Sequence, residues 1–172
     1  MNKIPETINA FNVYRDGKQL IGVSSEITLP EFSAMTDTIS GAGLLGDYET
    51  TIVGAFGSMT IEIPFRTIND DVFKMLNPNQ ALSLTLRGSV QYTDKNNLAM
   101  DYMGMRIVIT GRAKAIKPGT LKQGQQMGAS ATIEIMQILI ELDGKQKIEL
   151  DKMNAVYKVD GKDLLAKIKS QC

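Results

Sequence analysis

Residues 81–93 read ALSLTLRGSVQYT, from Ala81 to Thr93. Leu82, Leu84, Leu86, Val90 and Tyr92 fall on one side of an extended chain. Ser83, Thr85, Arg87, Ser89 and Gln91 fall on the other. A period of two with one apolar and one polar side is the pattern of a β-strand with a buried and a wet face. Working outward, Asp94-Lys95-Asn96-Asn97 supplies turn residues. A second long run follows over Leu98–Ile116, with Met103, Met105, Ile107 and Ile109 on its inward side. The two runs predict a long antiparallel hairpin.

The same alternation appears at Ser58–Arg66. Met59, Ile61, Ile63 and Phe65 oppose Ser58, Thr60, Glu62 and Arg66, and Pro64 places the run at a sheet edge or a strand end. Ala129–Asp143 predicts a further strand. Its apolar phase slips near Met136-Gln137, from Ile133 and Ile135 to Ile138, Ile140 and Leu142. A bulge, or a crossing between two sheets, accounts for such a slip. Asp143-Gly144 is a hairpin turn into Lys145–Asp151, and Asp16-Gly17 is a similar turn. Helix is scarce. Asn69 caps a predicted helix over Asp70–Leu76, with acids in its first turn and Pro78 beyond. Gly161–Lys169 places Leu164, Leu165 and Ile168 at helical spacing and predicts a C-terminal helix over 162–170. The expected fold is mainly β: an antiparallel β-sandwich or barrel with one or two short helices, in a single domain over 1–172.

Residues 33–57 break the pattern. They read SAMTDTISGAGLLGDYETTIVGAFG, with glycine at 41, 43, 46, 54 and 57. So long a connection is uncommon in a compact domain unless it has a function. Leu44, Leu45, Ile52, Val53 and Phe56 make it too apolar for simple disorder. An apolar, glycine-rich arm with no place in its own small core is expected to find burial against another copy. The plainer expectation is a loop folded over its own core.

Composition narrows the function. The chain has 172 residues, 43% hydrophobic and 22% charged, with no histidine and a single cysteine, Cys172. No run is long and apolar enough for a helical membrane span. Met1–Phe11 lacks the apolar stretch of a secretory signal, so residence in the cytoplasm and no membrane insertion are expected. One cysteine forms no internal disulfide and suggests no metal cluster. Without histidine, the commonest general base and metal ligand are missing, and serine nucleophiles lack their usual partner. Neither Gly41-Ala42-Gly43 nor Gly54–Gly57 fits a phosphate-binding loop. Glu149 and Asp151 share a strand face, but two carboxylates are too few for calcium. These residues predict no catalytic site, no cofactor and no metal.

Net charge is zero but unevenly spread. Residues 1–66 hold four bases and eight acids. Residues 102–133 hold five bases, Arg106, Arg112, Lys114, Lys117 and Lys122, and no acid. An acidic first part and a basic third part are expected to attract one another between copies. Those five bases are therefore candidate subunit-contact charges, although solvated faces with no partner give the same pattern. No aromatic residue lies between Arg106 and Lys122, which argues against stacking on single-stranded nucleic acid. Zero net charge argues against tight duplex binding.

The residues also resemble a family. Asn12-Val13-Tyr14-Arg15-Asp16-Gly17, Gly22-Val23 and Ile27-Thr28-Leu29-Pro30 open the likeness. Ser40-Gly41-Ala42-Gly43, Gly111-Arg112-Ala113-Lys114 and Lys122-Gln123-Gly124 continue it. Leu142-Asp143-Gly144-Lys145, Ile148-Glu149-Leu150-Asp151, Asn154 and Val159-Asp160-Gly161-Lys162-Asp163-Leu164-Leu165 close it. In this order and spacing, nearly end to end, the chain resembles the major tail tube proteins of contractile-tailed phages and the related tubes of R-type bacteriocins.

The resemblance implies a β-sandwich protomer that forms hexameric rings. Rings stack into a hollow tube with a continuous inner β-barrel inside a contractile sheath. The implied partners are further copies of the chain, a tail sheath protein, and baseplate hub and tail terminator proteins. DNA or a tape-measure protein passes the lumen without specific binding. The implied location is the virion tail or a bacteriocin particle, assembled in the bacterial cytoplasm. Residues 33–57 correspond to the loop that reaches the neighbouring ring, which makes Gly41, Gly43, Leu44, Leu45, Tyr48, Ile52, Val53 and Phe56 candidate inter-ring contacts. The arm is more apolar and less charged than the family pattern. Candidate lumen-facing sets are Ser83 and Thr85, or Thr60 and Glu62, or Ser130, Thr132 and Glu134. The sequence does not choose among them. A type VI secretion ring protein is the close alternative. A small-molecule-binding β-barrel module, with a ligand among Met103, Met105, Ile107 and Phe65, is the alternative of another class.

Overall fold

The computed structural model describes residues 3–172. Among them the chain forms eleven strands and two short helices. In order these are β1 (Lys3–Arg15), β2 (Lys18–Gln19), β3 (Ala34–Ile39), β4 (Tyr48–Phe56), β5 (Thr60–Phe65), α1 (Asp70–Lys74), β6 (Leu82–Asp94), β7 (Met100–Lys117), β8 (Ala129–Leu142), β9 (Lys145–Asp151), β10 (Val156–Val159), β11 (Lys162–Asp163) and α2 (Ala166–Lys169). Nine strands form one antiparallel sheet in the order β11-β10-β9-β8-β7-β6-β1-β2, with β5 added on β8. β3 and β4 form a separate two-stranded sheet. The mainly β expectation holds.

β6 and β7 are the predicted hairpin, paired from Leu82↔Gly111 to Thr93↔Met100. Directly paired residues share a face, so the inward rows line up. Leu82, Leu84 and Leu86 are buried with Ile107 and Ile109. Met59, Ile61, Ile63 and Phe65 of β5, Ile133, Ile135 and Ile138 of β8, and Leu150 of β9 join the same cluster. Full burial of such a side chain contributes roughly 1.5–3 kcal/mol. The strand bearing Pro64 is an edge strand in register with β8. Its outer margin is met by residues 22–24: Ser24 N–H donates to Pro64 O at 2.9 Å, and Arg66 N–H to Gly22 O at 2.9 Å.

The phase slip in β8 is a bulge. Gln137 faces Thr110 of β7 and Ile135 faces Gly111, leaving Met136 as the extra residue. β8 also changes its second partner there. Residues Ala129–Glu134 pair with β5, and Gln137–Leu142 pair with β9. The bulge keeps the apolar row pointing inward while the strand passes from one neighbour to the other. Beside it, Gly111 passes so close to β8 that an added Cβ would lie 2.0 Å from Glu134 O.

Asp16-Gly17 and Asp143-Gly144 adopt positive φ at both residues, the geometry of a two-residue hairpin turn. Asp160-Gly161 does the same between β10 and β11. Asn69 caps α1, its Oδ1 accepting from Val72 N–H at 3.1 Å. The C-terminal helix departs from the sequence reading. Lys162–Asp163 is a strand and α2 is a single turn, Ala166–Lys169. Pairing with β10 satisfies the backbone of 162–163, and a four-residue helix has little stability of its own.

Candidate assembly surfaces

The segment 33–57 is not irregular. It is a β-hairpin whose glycines lie where regular pairing stops. Ile39↔Tyr48 to Thr36↔Thr51 form the ladder, and Gly41, Gly43 and Gly46 lie in the connecting tip. Ala34↔Phe56 resumes pairing after a register shift that leaves Ile52–Ala55 looped out, with Gly54 at φ +80°. Among the described residues the hairpin is anchored at its base. The Phe56 ring lies 6.5 Å from Phe32 and 5.1 Å from Tyr157, both edge-on. The Leu165 side chain packs under Gly54. The rest faces outward: Leu44, Tyr48, Ile52 and Val53 are about half exposed, and Leu45 is fully exposed. The hairpin pairs with no other described strand. Its base packs on the core through Phe56, and its tip side chains stay exposed.

The seven candidate lumen residues share one face of the large sheet. In the ladder Thr60 pairs with Glu134 and Glu62 with Thr132, while Arg112 of β7 also faces Glu134. Ser83 pairs with Thr110 and Thr85 with Val108, on the side opposite Leu82 and Leu84. Their exposure differs. Thr60 and Glu62 are exposed, Ser83, Thr85, Thr132 and Glu134 half-buried, and Ser130 buried. The Ser130 hydroxyl donates to Glu62 Oε1 at 2.5 Å.

Charges on this face are largely paired within the chain. Arg106 makes a two-pronged contact with Glu141 at 2.7 and 2.9 Å. Lys114 Nζ lies 3.5 Å from Glu134, and Lys117 Nζ 3.4 Å from Glu62. The Ser130 hydroxyl, and then Lys117, hold the Glu62 carboxyl below the usual carboxylate range. Burial pushes the Glu134 carboxyl up, but Ser58 and Lys114 outweigh it and keep it low. Of the five bases read as subunit contacts, three thus already have an acid in their own chain. Arg112 and Lys122 are exposed and have no ion pair among the described residues. Asp151 is also committed locally: it accepts from Gln137, Met153 N–H and Asn154.

The sheet has open margins. β2 pairs with Tyr14 and Arg15 of β1, and Val13 O accepts from Leu20 N–H, so the outer edge of Lys3–Asn12 has no strand partner among the described residues. Met100–Gly104 of β7 extend past the end of β8. Unpaired strand edges of this kind are templates for a further strand.

The model of the phage tail tube protein FII family matches residues 5–172. The chain belongs to that family. It is 26% identical over 165 residues to the tail tube protein of Escherichia phage P2, covering 94% of each chain. It is 25% identical over 161 residues to the major tail tube protein of Serratia phage KSP20, covering 94% of this chain and 91% of that one. The chain is accordingly a structural protein of the phage tail tube.

In this tail tube protein one sizeable cavity stands apart from the hairpin. It is an open groove of about 690 Å³ between β1 and the segment 19–29, floored by Leu86, Gly88, Met105 and Ile107. Of the four residues suggested for a small ligand, Met105 and Ile107 reach the groove. Phe65 is buried in the core and Met103 is not among the lining residues. No group of three or more acid, cysteine or histidine side chains among the described residues is placed to hold a metal. No helix among them is long and apolar enough to cross a membrane.

Sequence reasoning missed β1, β2, β3, β4, β10 and β11 as strands. The β10–β11 turn was legible, since Asp160-Gly161 repeats the signal read at Asp16-Gly17 and Asp143-Gly144. β1 was not, because two bulges interrupt its alternation, between Pro5 and Thr7 and between Ile8 and Ala10.

Proposed function

We propose that this tail tube protein assembles into hexameric rings that stack into the inner tube of a contractile tail, on a phage or on an R-type bacteriocin. Its function is contact between copies, and it is not an enzyme. A contractile sheath surrounds the tube, a baseplate hub and a terminator close its ends, and DNA or a tape-measure protein occupies the bore. Assembly takes place in the bacterial cytoplasm. The observation that carries this reading is the β3–β4 hairpin, an apolar finger anchored only at its base. Apolar surface of that kind is stabilised by burial, and its own domain offers none. The open margins of β1 and β7 support the same reading, because ring closure is one way to remove strand edges.

The polar face bearing Thr60, Glu62, Ser83, Thr85, Thr132 and Glu134 is the proposed lumen wall. Its acids and bases largely neutralise one another at short range. These pairs offset part of the wall's positive field, while Arg87 and Arg112 on the same face have no ion pair among the described residues. Electron microscopy of the purified protein tests the proposal. Rings or tubes of uniform bore are expected at high protein concentration. A chain that stays monomeric under all such conditions refutes it.

A further inference from the structure

We infer that the hairpin tip of one copy, Leu44-Leu45, seats in the groove between β1 and residues 19–29 of another copy; this rests on the tube reading proposed above. The tip and the groove are complementary parts of one chain that do not meet within it. Leu45 is fully exposed, and it stands in a tip with glycine at 43 and 46. The groove has the opposite defect. Ile8, Phe11 and Met105 belong to the apolar side of β1 and β7, yet Ile8 is 52% exposed and Phe11 and Met105 are only partly covered. Leu29, on the facing wall, is 44% exposed. A groove of about 690 Å³ is within the usual range of roughly 300–1,000 Å³ for sites that bury a small ligand. Two leucine side chains are well inside that capacity.

Charge and reach agree. The hairpin region 33–57 carries Asp37, Asp47 and Glu49 and no base. Arg66 lines the groove, and its carbonyl accepts from Met127 N–H at 2.8 Å, which ties the loop bearing Lys122 to the same end. Neither Arg66 nor Lys122 has an ion-pair partner among the described residues. Glu26 is the lining's acid and works against the match. Arg87 contributes little, since its guanidinium lies over the Tyr14 ring on the other face. The Leu44-Leu45 tip lies beyond the paired residues Tyr48–Thr51, at the far end of the hairpin from its anchor at Phe56. A contact between two different patches of one chain is heterologous, and where its rotation does not close it extends a stack. That is the contact a stack of rings requires.

The test uses the full chain with Cys172→Ser, so that Leu45→Cys carries the one thiol. Benzophenone maleimide is attached at position 45, and the labelled protein is doped as a minor fraction into unlabelled copies. After assembly and irradiation, mass spectrometry should map cross-links to residues 8–13 or 19–29. Cross-links in well-formed tubes that map elsewhere overturn the inference while leaving the tube reading intact. Failure of the unlabelled protein to form rings or tubes overturns both. Leu29→Arg supplies a second arm. Being half exposed, it should leave the monomer's melting curve unchanged and raise the critical concentration for assembly about tenfold or more. A soluble Leu29→Arg protein with wild-type assembly also overturns the inference.

Discussion

At the scale of single residues, position 111 is decided by distance. An alanine Cβ there would stand 2.0 Å from Glu134 O and 3.1 Å from Ile133 Cγ2. Both belong to a packed strand that cannot retreat cheaply. Gly111→Ala should destabilise the monomer by about 1–3 kcal/mol, read as a lowered urea midpoint. An unchanged midpoint would show that β8 yields at Glu134 without cost. Ile133 is completely buried, and Ile133→Ala should cost about 2–5 kcal/mol in the same assay. Glu62, Glu134, Glu141 and Asp151 all titrate below their usual values in the folded chain. A depressed folded value gives stability that is present above the unfolded value, about 4, and is lost as pH falls through the folded one. The melting temperature should therefore fall on acidification below about pH 4. Glu141→Gln removes the acid partner of Arg106 and should flatten that fall, while an unchanged acid limb would deny the pair any share in it.

At the scale of elements, two features invite opposite outcomes. Met136 is the extra residue of β8, and deleting it would turn either Ile133 and Ile135 or Ile138 and Ile140 away from the core. The deletion should abolish folding, seen as loss of the cooperative melt. The hairpin should behave differently. Thr36 and Thr51 are ladder neighbours, so residues 37–50 can be excised and replaced by an Asn-Gly turn. Phe32, Phe56 and Tyr157 stay in place, and the monomer should keep its stability within about 1 kcal/mol. Tubes should be absent. A large loss of monomer stability would show instead that the finger supports its own domain.

Much of this level was legible beforehand. Residues 81–93, 58–66 and 129–143 alternate cleanly because each has one wall against apolar partners and one against water. The three Asp-Gly pairs mark turns through backbone stereochemistry alone. β3 and β4 were hidden because the hairpin meets the core at its base, through Phe56, and most of its length has no buried row to impose alternation on residues 34–39 and 48–56.

At the scale of the whole molecule, the chain is a closed core with an open periphery. Apolar rows from β1, β5, β6, β7, β8 and β9 merge into one cluster, while the finger, the groove and the strand margins remain uncovered. If those surfaces meet mainly through leucines, assembly should respond to salts as hydrophobic burial does. Sodium sulfate should lengthen tubes, whereas sodium chloride at equal ionic strength should weaken only the charge component. Sedimentation of assembled material in the two salts reads this directly. Equal loss in both would point to a contact dominated by ion pairs.

The sequence by itself determined the β class, the central hairpin, the turns at Asp16-Gly17 and Asp143-Gly144, the phase slip in β8 and the presence of an apolar segment out of place. These are local matters, set by side-chain period and by backbone preference over a few residues. Only the tertiary structure decided that the seven polar candidates share one sheet face and that Ser130 is buried beneath Glu62. It also decided that Lys114 and Lys117 are neutralised at home, and that a groove lies open beside β1. Those facts depend on which strands become neighbours. Register between residues 60 and 134, or 8 and 90, follows from long-range pairing, and no local pattern carries it.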